Sequence, residues 1–139
     1  MARNSKDFTY DNALLLKAAG AVTATGTGTI LDLGAARADF RAICDVSAID
    51  NASADESYIL QVQGSNSPTF ASGVVALASK QLGVASATGN SANTGVGRYE
   101  IHGSNEENGV LYRYVRVRHV LAGTTPSINY TAFLAHQVN

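Results

Sequence analysis

The chain has 139 residues, 45% of them apolar and 15% charged, with a formal net charge of −1. That is the length of one domain, enough to bury about 68–70% of the surface an unfolded chain exposes, and it matches neither a disordered polyelectrolyte nor a globally basic nucleic-acid binder. The best apolar stretch, Ala13 to Val22, is broken by Lys17, and Asp7 and Asp11 stand where a signal peptide needs basic and then apolar residues; no membrane span and no export signal are expected.

Thirteen glycines, two prolines, no tryptophan and few lysines or glutamates favour short strands joined by small-residue loops. Met1 to Tyr10 mixes Arg3, Lys6 and Asp7 with the isolated aromatics Phe8 and Tyr10 and reads as an arm. Asp11 or Asn12 would cap a short helix through Ala13–Ala18, ended by Gly20, although two turns are marginal without tertiary packing. Residues 1–19 are therefore expected as an arm or short helix, and residues 20–139 as the body.

From Gly20 onward the apolar period is two. Ala21–Ala24 and Thr29–Leu33 are β-like runs on either side of a Gly26-Thr27-Gly28 turn. Ala38–Ile49 sets Ala38, Phe40, Ala42, Cys44 and Val46 on one face, as a half-buried antiparallel strand does. Tyr58, Leu60 and Val62 alternate with Ile59, Gln61 and Gln63 in another strand that stops near Gly64. In Val74–Leu82, Val75, Leu77, Ser79 and Gln81 suit a strand, whereas Val74, Leu77, Ala78 and Leu82 would also make one helical stripe; strand is preferred. Ala85–Gly97 carries almost no apolar bulk and reads as a mobile surface loop.

Arg98–His102, Val110–Leu121 and Ser127–His136 are the clearest strands and read as an antiparallel meander, with Asn108-Gly109 supplying the positive φ of a tight reversal. About eight strands without βαβ alternation predict an all-β, single-domain antiparallel sandwich, a jelly roll.

The search for chemistry finds little. His102, His119 and His136 show no metal-ligand spacing, and His119, on a face with Val115, Val117 and Leu121, reads as a partly buried core histidine. The lone Cys44 closes no intramolecular disulfide and sits on the core face, where a thiol packs as a small hydrophobe. No nucleophile elbow is present, and Gly26-Thr27-Gly28 lacks the third glycine and the helix of a dinucleotide fingerprint. Asp50, Asp55 and Glu56 lack calcium-loop spacing and read as a solvated connection. No catalytic residue, metal site or cofactor is predicted; an enzyme would need His119, Asp45 and Arg113 to meet, and no spacing brings them together.

One charged feature stands out. Strand alternation puts Tyr112, Tyr114, Arg116 and Arg118 on one face, a surface able to stack, pair with carboxylates or hold phosphate. A solvated outer face and a protein contact are both open readings. Single-stranded nucleic acid is disfavoured, because no basic track continues elsewhere in the chain.

The succession Tyr58–Ser65, Phe70–Val75, Gly97-Arg98-Tyr99, Tyr112–Arg118 and Tyr130–Leu134 resembles the capsid cement (decoration) proteins of tailed phages, of the jelly-roll type first associated with a Bordetella phage. The resemblance runs from about Asp11 onward. It implies a non-enzymatic structural virion protein, made in the host cytoplasm, that binds the capsid exterior on a shell of HK97-like major capsid protein. It further implies a symmetric homo-oligomer, a homodimer first and a trimer second, with no nucleic acid or membrane as partner. Arg3, Lys6, Phe8 and Tyr10 in the arm and the Tyr112/Tyr114/Arg116/Arg118 stripe are the expected partner contacts. The alternative is a carbohydrate- or ligand-binding sandwich module of a tail-associated or lectin-like type, stacking sugars on Tyr112 and Tyr114.

Overall fold

A computed structural model describes residues 14–135. The expectations for Arg3, Lys6, Phe8, Tyr10 and His136 lie outside the described residues. Twelve strands follow in chain order: β1 (Leu15–Lys17), β2 (Ala21–Val22), β3 (Gly26–Thr27), β4 (Leu31–Asp32), β5 (Asp39–Ile49), β6 (Ser57–Ser65), β7 (Val75–Gly83), β8 (Gly97–Ser104), β9 (Glu106–Glu107), β10 (Val110–Leu111), β11 (Tyr114–Ala122) and β12 (Ile128–Ala135). One helical turn, α1 (Ala85–Thr88), lies between β7 and β8.

β1 and β2 pair one after the other along β12, and β3 and β4 along β11, so each couple is a single stave broken by a bend. Counted this way, eight staves form two antiparallel sheets, ordered 1-8-3-6 and 2-7-4-5. That interleaving is the double Greek key of a jelly roll. The first sheet holds β1, β2, β12, β5 and β8; the second holds β3, β4, β11, β6 and β7.

The last three long strands are not a meander. β8 and β12 both flank β5, whereas β11, which lies between them in sequence, crosses to the second sheet beside β6. The Asn108-Gly109 reversal, with φ of 51° and 79°, closes only the small β9–β10 ribbon. It is a tight turn of the expected kind on a shorter hairpin, so the chain after it is free to change sheets.

Alternation fills the space between the sheets. Phe40, Ala42, Cys44 and Val46 of β5 and Ile128, Tyr130, Ala132 and Leu134 of β12 face Tyr58, Leu60 and Val62 of β6 and Val115 and Val117 of β11. Burying each of the larger side chains contributes about 1.5–3 kcal/mol. On the opposite face of the first sheet, Ile43 and Phe133 are register partners and are also buried, with Arg98 over the Phe133 ring.

The expected helix around Ala13–Ala18 is strand from Leu15 to Lys17. A two-turn helix has no strong reason to form alone, while the edge of β12 offers ladder partners at Phe133 and Ala132 and a core site for Leu16. The sandwich therefore begins before residue 20. Gly26-Thr27, read as a turn, is β3 paired with His119 and Arg118. Gly28 is needed for close approach: a Cβ there would stand 2.1 Å from the Leu16 carbonyl oxygen and 2.9 Å from Val117 Cγ1.

β7 is a strand with a bulge: Val62 faces Ala78 but Gln63 faces Ala76, leaving Leu77 as the extra residue. The loop of residues 85–97 is more tied down than its composition suggests. The Ala85 amide donates to Asn93 Oδ1 and the Thr94 amide donates to the Gly83 carbonyl, both at 2.9 Å. Asn51 Nδ2 also donates to the Thr94 carbonyl.

Candidate functional site

The second sheet turns one face to the core and the other outward. Inward residues of β11 are Val115, Val117 and His119, so Tyr114, Arg116 and Arg118 point outward. The register sets Arg118 between Thr27 and Gln61, with Ser79 beyond, and Arg116 beside Gln63, with Ala76 beyond. The result is an amide- and hydroxyl-bearing face crossed by two guanidinium groups.

Tyr112 is not part of it. The chain bends at Arg113, before β11 begins, and the alternation is broken there. Tyr112 Cβ lies 3.0 Å from where a Cβ on Gly64 would be, and Gly64 pairs with the inward Val115, so Tyr112 packs on the opposite side from Tyr114. It lines a cleft of about 420 Å³ with Asn66, Ser67, Ser72 and Val75. Arg113 takes the vacated outer position. Its guanidinium grips Asp32 with two bonds of 2.8 and 2.9 Å and lies 5.5 Å from the Tyr114 ring centre. That grip, with the Gly34 amide, pulls the Asp32 carboxyl down to about 2.

The loop joining β6 to β7 folds back over the upper part of this face. Ser65 Oγ donates to the Ser72 carbonyl at 2.8 Å, and the buried Phe70 adopts φ of 55°. Its ring lies 4.2 Å from the Arg116 guanidinium carbon, while Arg116 Nε donates to Gln63 Oε1 at 3.0 Å. Ring and amide together fix the plane of that guanidinium.

The two described histidines, His102 and His119, do not converge. His119 lies between the sheets, its Nδ1 bonded to Tyr130 Oη at 2.7 Å, whereas His102 is exposed on the first sheet beside Glu100. Burial, then the charges of Lys17 and Arg118, lower the His119 pKa. Lys17 directs its ammonium to three carbonyls, Ala18, Gly20 and Tyr130, at 2.8–2.9 Å, and lies 4.4 Å from the Tyr130 ring centre. Nor do the residues of the enzyme reading meet: Asp45 pairs with Arg98 on the first sheet and Arg113 with Asp32 on the second. Among the described residues no group of three His, Cys, Asp or Glu side chains could hold a metal ion, and no helix is long and apolar enough to cross a membrane.

Cys44 is fully buried, and burial, followed by the neighbouring Asp45 charge, pushes its thiol up to about 12. Glu56 corrects the solvated-connection reading: it is completely buried, and its carboxylate accepts the Ser53 and Asp55 amides. Asp55 in turn accepts from the amide and hydroxyl of Thr124. Asn105, read only as part of a turn, is also fully buried. Its Oδ1 accepts the Ala38 amide at 2.8 Å, and its Nδ2 donates to the carbonyls of Ala36 and Tyr112 at 3.0 and 3.2 Å. Its position in a glycine- and asparagine-rich stretch gave no signal of that role.

No protein-family model matches the chain, and no curated protein matches it. Among solved structures it is similar to the Clostridium thermocellum N-terminal endo-1,4-β-D-xylanase 10B, a structure of CBM22-1 and GH10 modules complexed with xylohexaose. The identity is 14% and the TM-score 0.41, over 78% of this chain and 18% of that one. The chain thus spans less than a fifth of that structure's length.

Proposed function

We propose that this protein is a non-enzymatic structural component that binds the outer surface of a tailed-phage capsid and stabilises it as a symmetric homo-oligomer. The observation that carries this reading is where the resembling segments fall. Tyr58–Ser65 is β6, Phe70–Val75 is the loop folded over the second sheet's face together with the first residue of β7, and Tyr112–Arg118 is the approach to β11 and its first half. Three of the five segments thus lie in or against the second sheet and contribute its outward Gln61, Gln63, Tyr114, Arg116 and Arg118, and the remaining two fall in β8 and β12 of the other sheet. The interior supports the same reading, since His119, Tyr130, Lys17 and Glu56 spend their polar groups on one another or on backbone. A molecule built this way acts through its exterior, and many symmetric copies turn modest contacts into a firm hold through effective concentration.

The test is co-sedimentation of the full chain with expanded capsids of the phage that carries its gene. Saturable binding at a fixed copy number per shell subunit is expected; absence of binding would remove the capsid reading.

A second reading is favoured by one observation: the outer face of the second sheet sets a tyrosine ring beside amides and hydroxyls, as saccharide-binding faces do. With Tyr112 turned away, that platform rests on Tyr114 alone. Glycan-array binding lost in Tyr114→Ala would support this alternative over the first.

A further inference from the structure

Arg116 and Arg118 lie two residues apart on one face of β11, about 6.6 Å along the strand. Neither forms an ion pair with a described carboxylate, while Arg37, Arg98 and Arg113 each do. The neighbouring positions in both rows, Thr27, Gln61, Ser79, Gln63 and Ala76, are uncharged. Two like charges side by side with no counter-charge raise the energy of the unliganded face. Burial first, and the nearby Arg118 charge second, hold the Arg116 guanidinium below its ordinary value.

The face is nonetheless built and not merely charged. Phe70 stacks against the Arg116 guanidinium and Gln63 takes its Nε–H, so the plane of that guanidinium is held before any ligand arrives. Fixing a guanidinium fork in advance lowers the ordering cost of recognising a carboxylate.

We propose that this face docks an extended acidic segment of the shell protein, with carboxylates two residues apart seated on Arg116 and Arg118. The partner's identity rests on the capsid reading; the chemistry of the face does not. Charge complementarity selects the carboxylates, and the spacing selects an extended chain. Alternate residues of such a chain project to one side at the same interval of about 6.6 Å that separates the two arginines. Gln61, Ser79 and Thr27 would then meet its backbone.

The test measures affinity of the full chain for expanded capsids and, separately, for an alternating glutamate–threonine decapeptide and for polygalacturonate. Wild type, Arg118→Glu and Arg118→Gln are compared, each with its melting temperature. Capsid and decapeptide affinities at least tenfold weaker in Arg118→Glu, with an intermediate Arg118→Gln and unchanged melting, are expected. Wild-type affinity should also fall as salt rises from about 50 to about 300 mM. Variants that melt and bind as wild type does would overturn the proposal. If wild type fails to bind capsids, the capsid reading falls, and the decapeptide decides the face: binding lost in Arg118→Glu supports it, and no binding overturns it. Retention of polygalacturonate without the decapeptide would also overturn it, in favour of an acidic saccharide.

Discussion

His119 and Tyr130, eleven residues apart in sequence, belong to different sheets, and their 2.7 Å hydrogen bond ties the two layers together through the core. The bond accommodates a neutral imidazole, and burial with Lys17 and Arg118 nearby lowers the folded-state pKa. An unfolded histidine titrates near 6.5. The unfolded state therefore binds more protons between the two values, and stability rises with pH across that window. The contribution is complete above about pH 6.5 and is lost as pH falls through the folded value. Thermal melting from pH 7.5 to 4.5 should show a decline that is flattened in His119→Gln. An identical slope in that variant would assign the decline to other groups.

Tyr130→Phe keeps the ring and removes the hydroxyl, leaving His119 Nδ1 buried without its partner. A loss of about 1–3 kcal/mol is expected by urea denaturation, with an unchanged m-value.

Lys17 satisfies three carbonyls at the break between β1 and β2, where no ladder can satisfy them. Lys17→Met keeps the apolar stem over Tyr130 and removes the donors. Destabilisation of about 2 kcal/mol is expected, with amide exchange accelerating first in Leu15–Val22. Uniform acceleration across all strands would show that Lys17 does not act locally.

Asn105 pins Ala36, Ala38 and Tyr112 with one amide group. Asn105→Ala should cost about 1–3 kcal/mol for the orphaned groups. Asn105→Asp should cost at least as much, because it replaces a double donor with a buried charge. Chemical denaturation of both variants measures this.

Cys44, with its thiol raised to about 12 and no exposure, should react with a thiol reagent at pH 8 only through unfolding. The labelling rate should follow the unfolding equilibrium as urea is added. Rapid labelling in the native state would contradict the buried placement.

The sequence reveals those parts of the fold in which an unbroken period of two meets a single buried face. The core faces of β12, of β5 up to Val46 and of β6 up to Val62 follow that rule, although Ile43 and Phe133 are buried on the other face and Ser47 is an extra residue that shifts the register of β5. β7 does not: the bulge at Leu77 shifts the inward set from odd to even positions. That shift brings Leu77, Ala78 and Leu82 into the apparent helical stripe. Tyr112 departs from the expected face for a related reason: the bend at Arg113 interrupts the alternation. Which strands pair is a matter of long-range closure, and the strand pattern alone was compatible with a meander. The outward pair Arg116 and Arg118 was visible in the sequence, but the ring of Phe70 beneath Arg116 was not. It depends on a loop folding back over its own sheet.

The broken staves make the sandwich lopsided. Four of its strands, β1 to β4, are two or three residues long and hang on the outer rims of β12 and β11, while the other staves are eight to eleven residues long. Tension applied near Leu15 would therefore peel these short rungs away one at a time and meet firm resistance only at β5. A molecule assembled like this can yield at one margin while its centre stays shut.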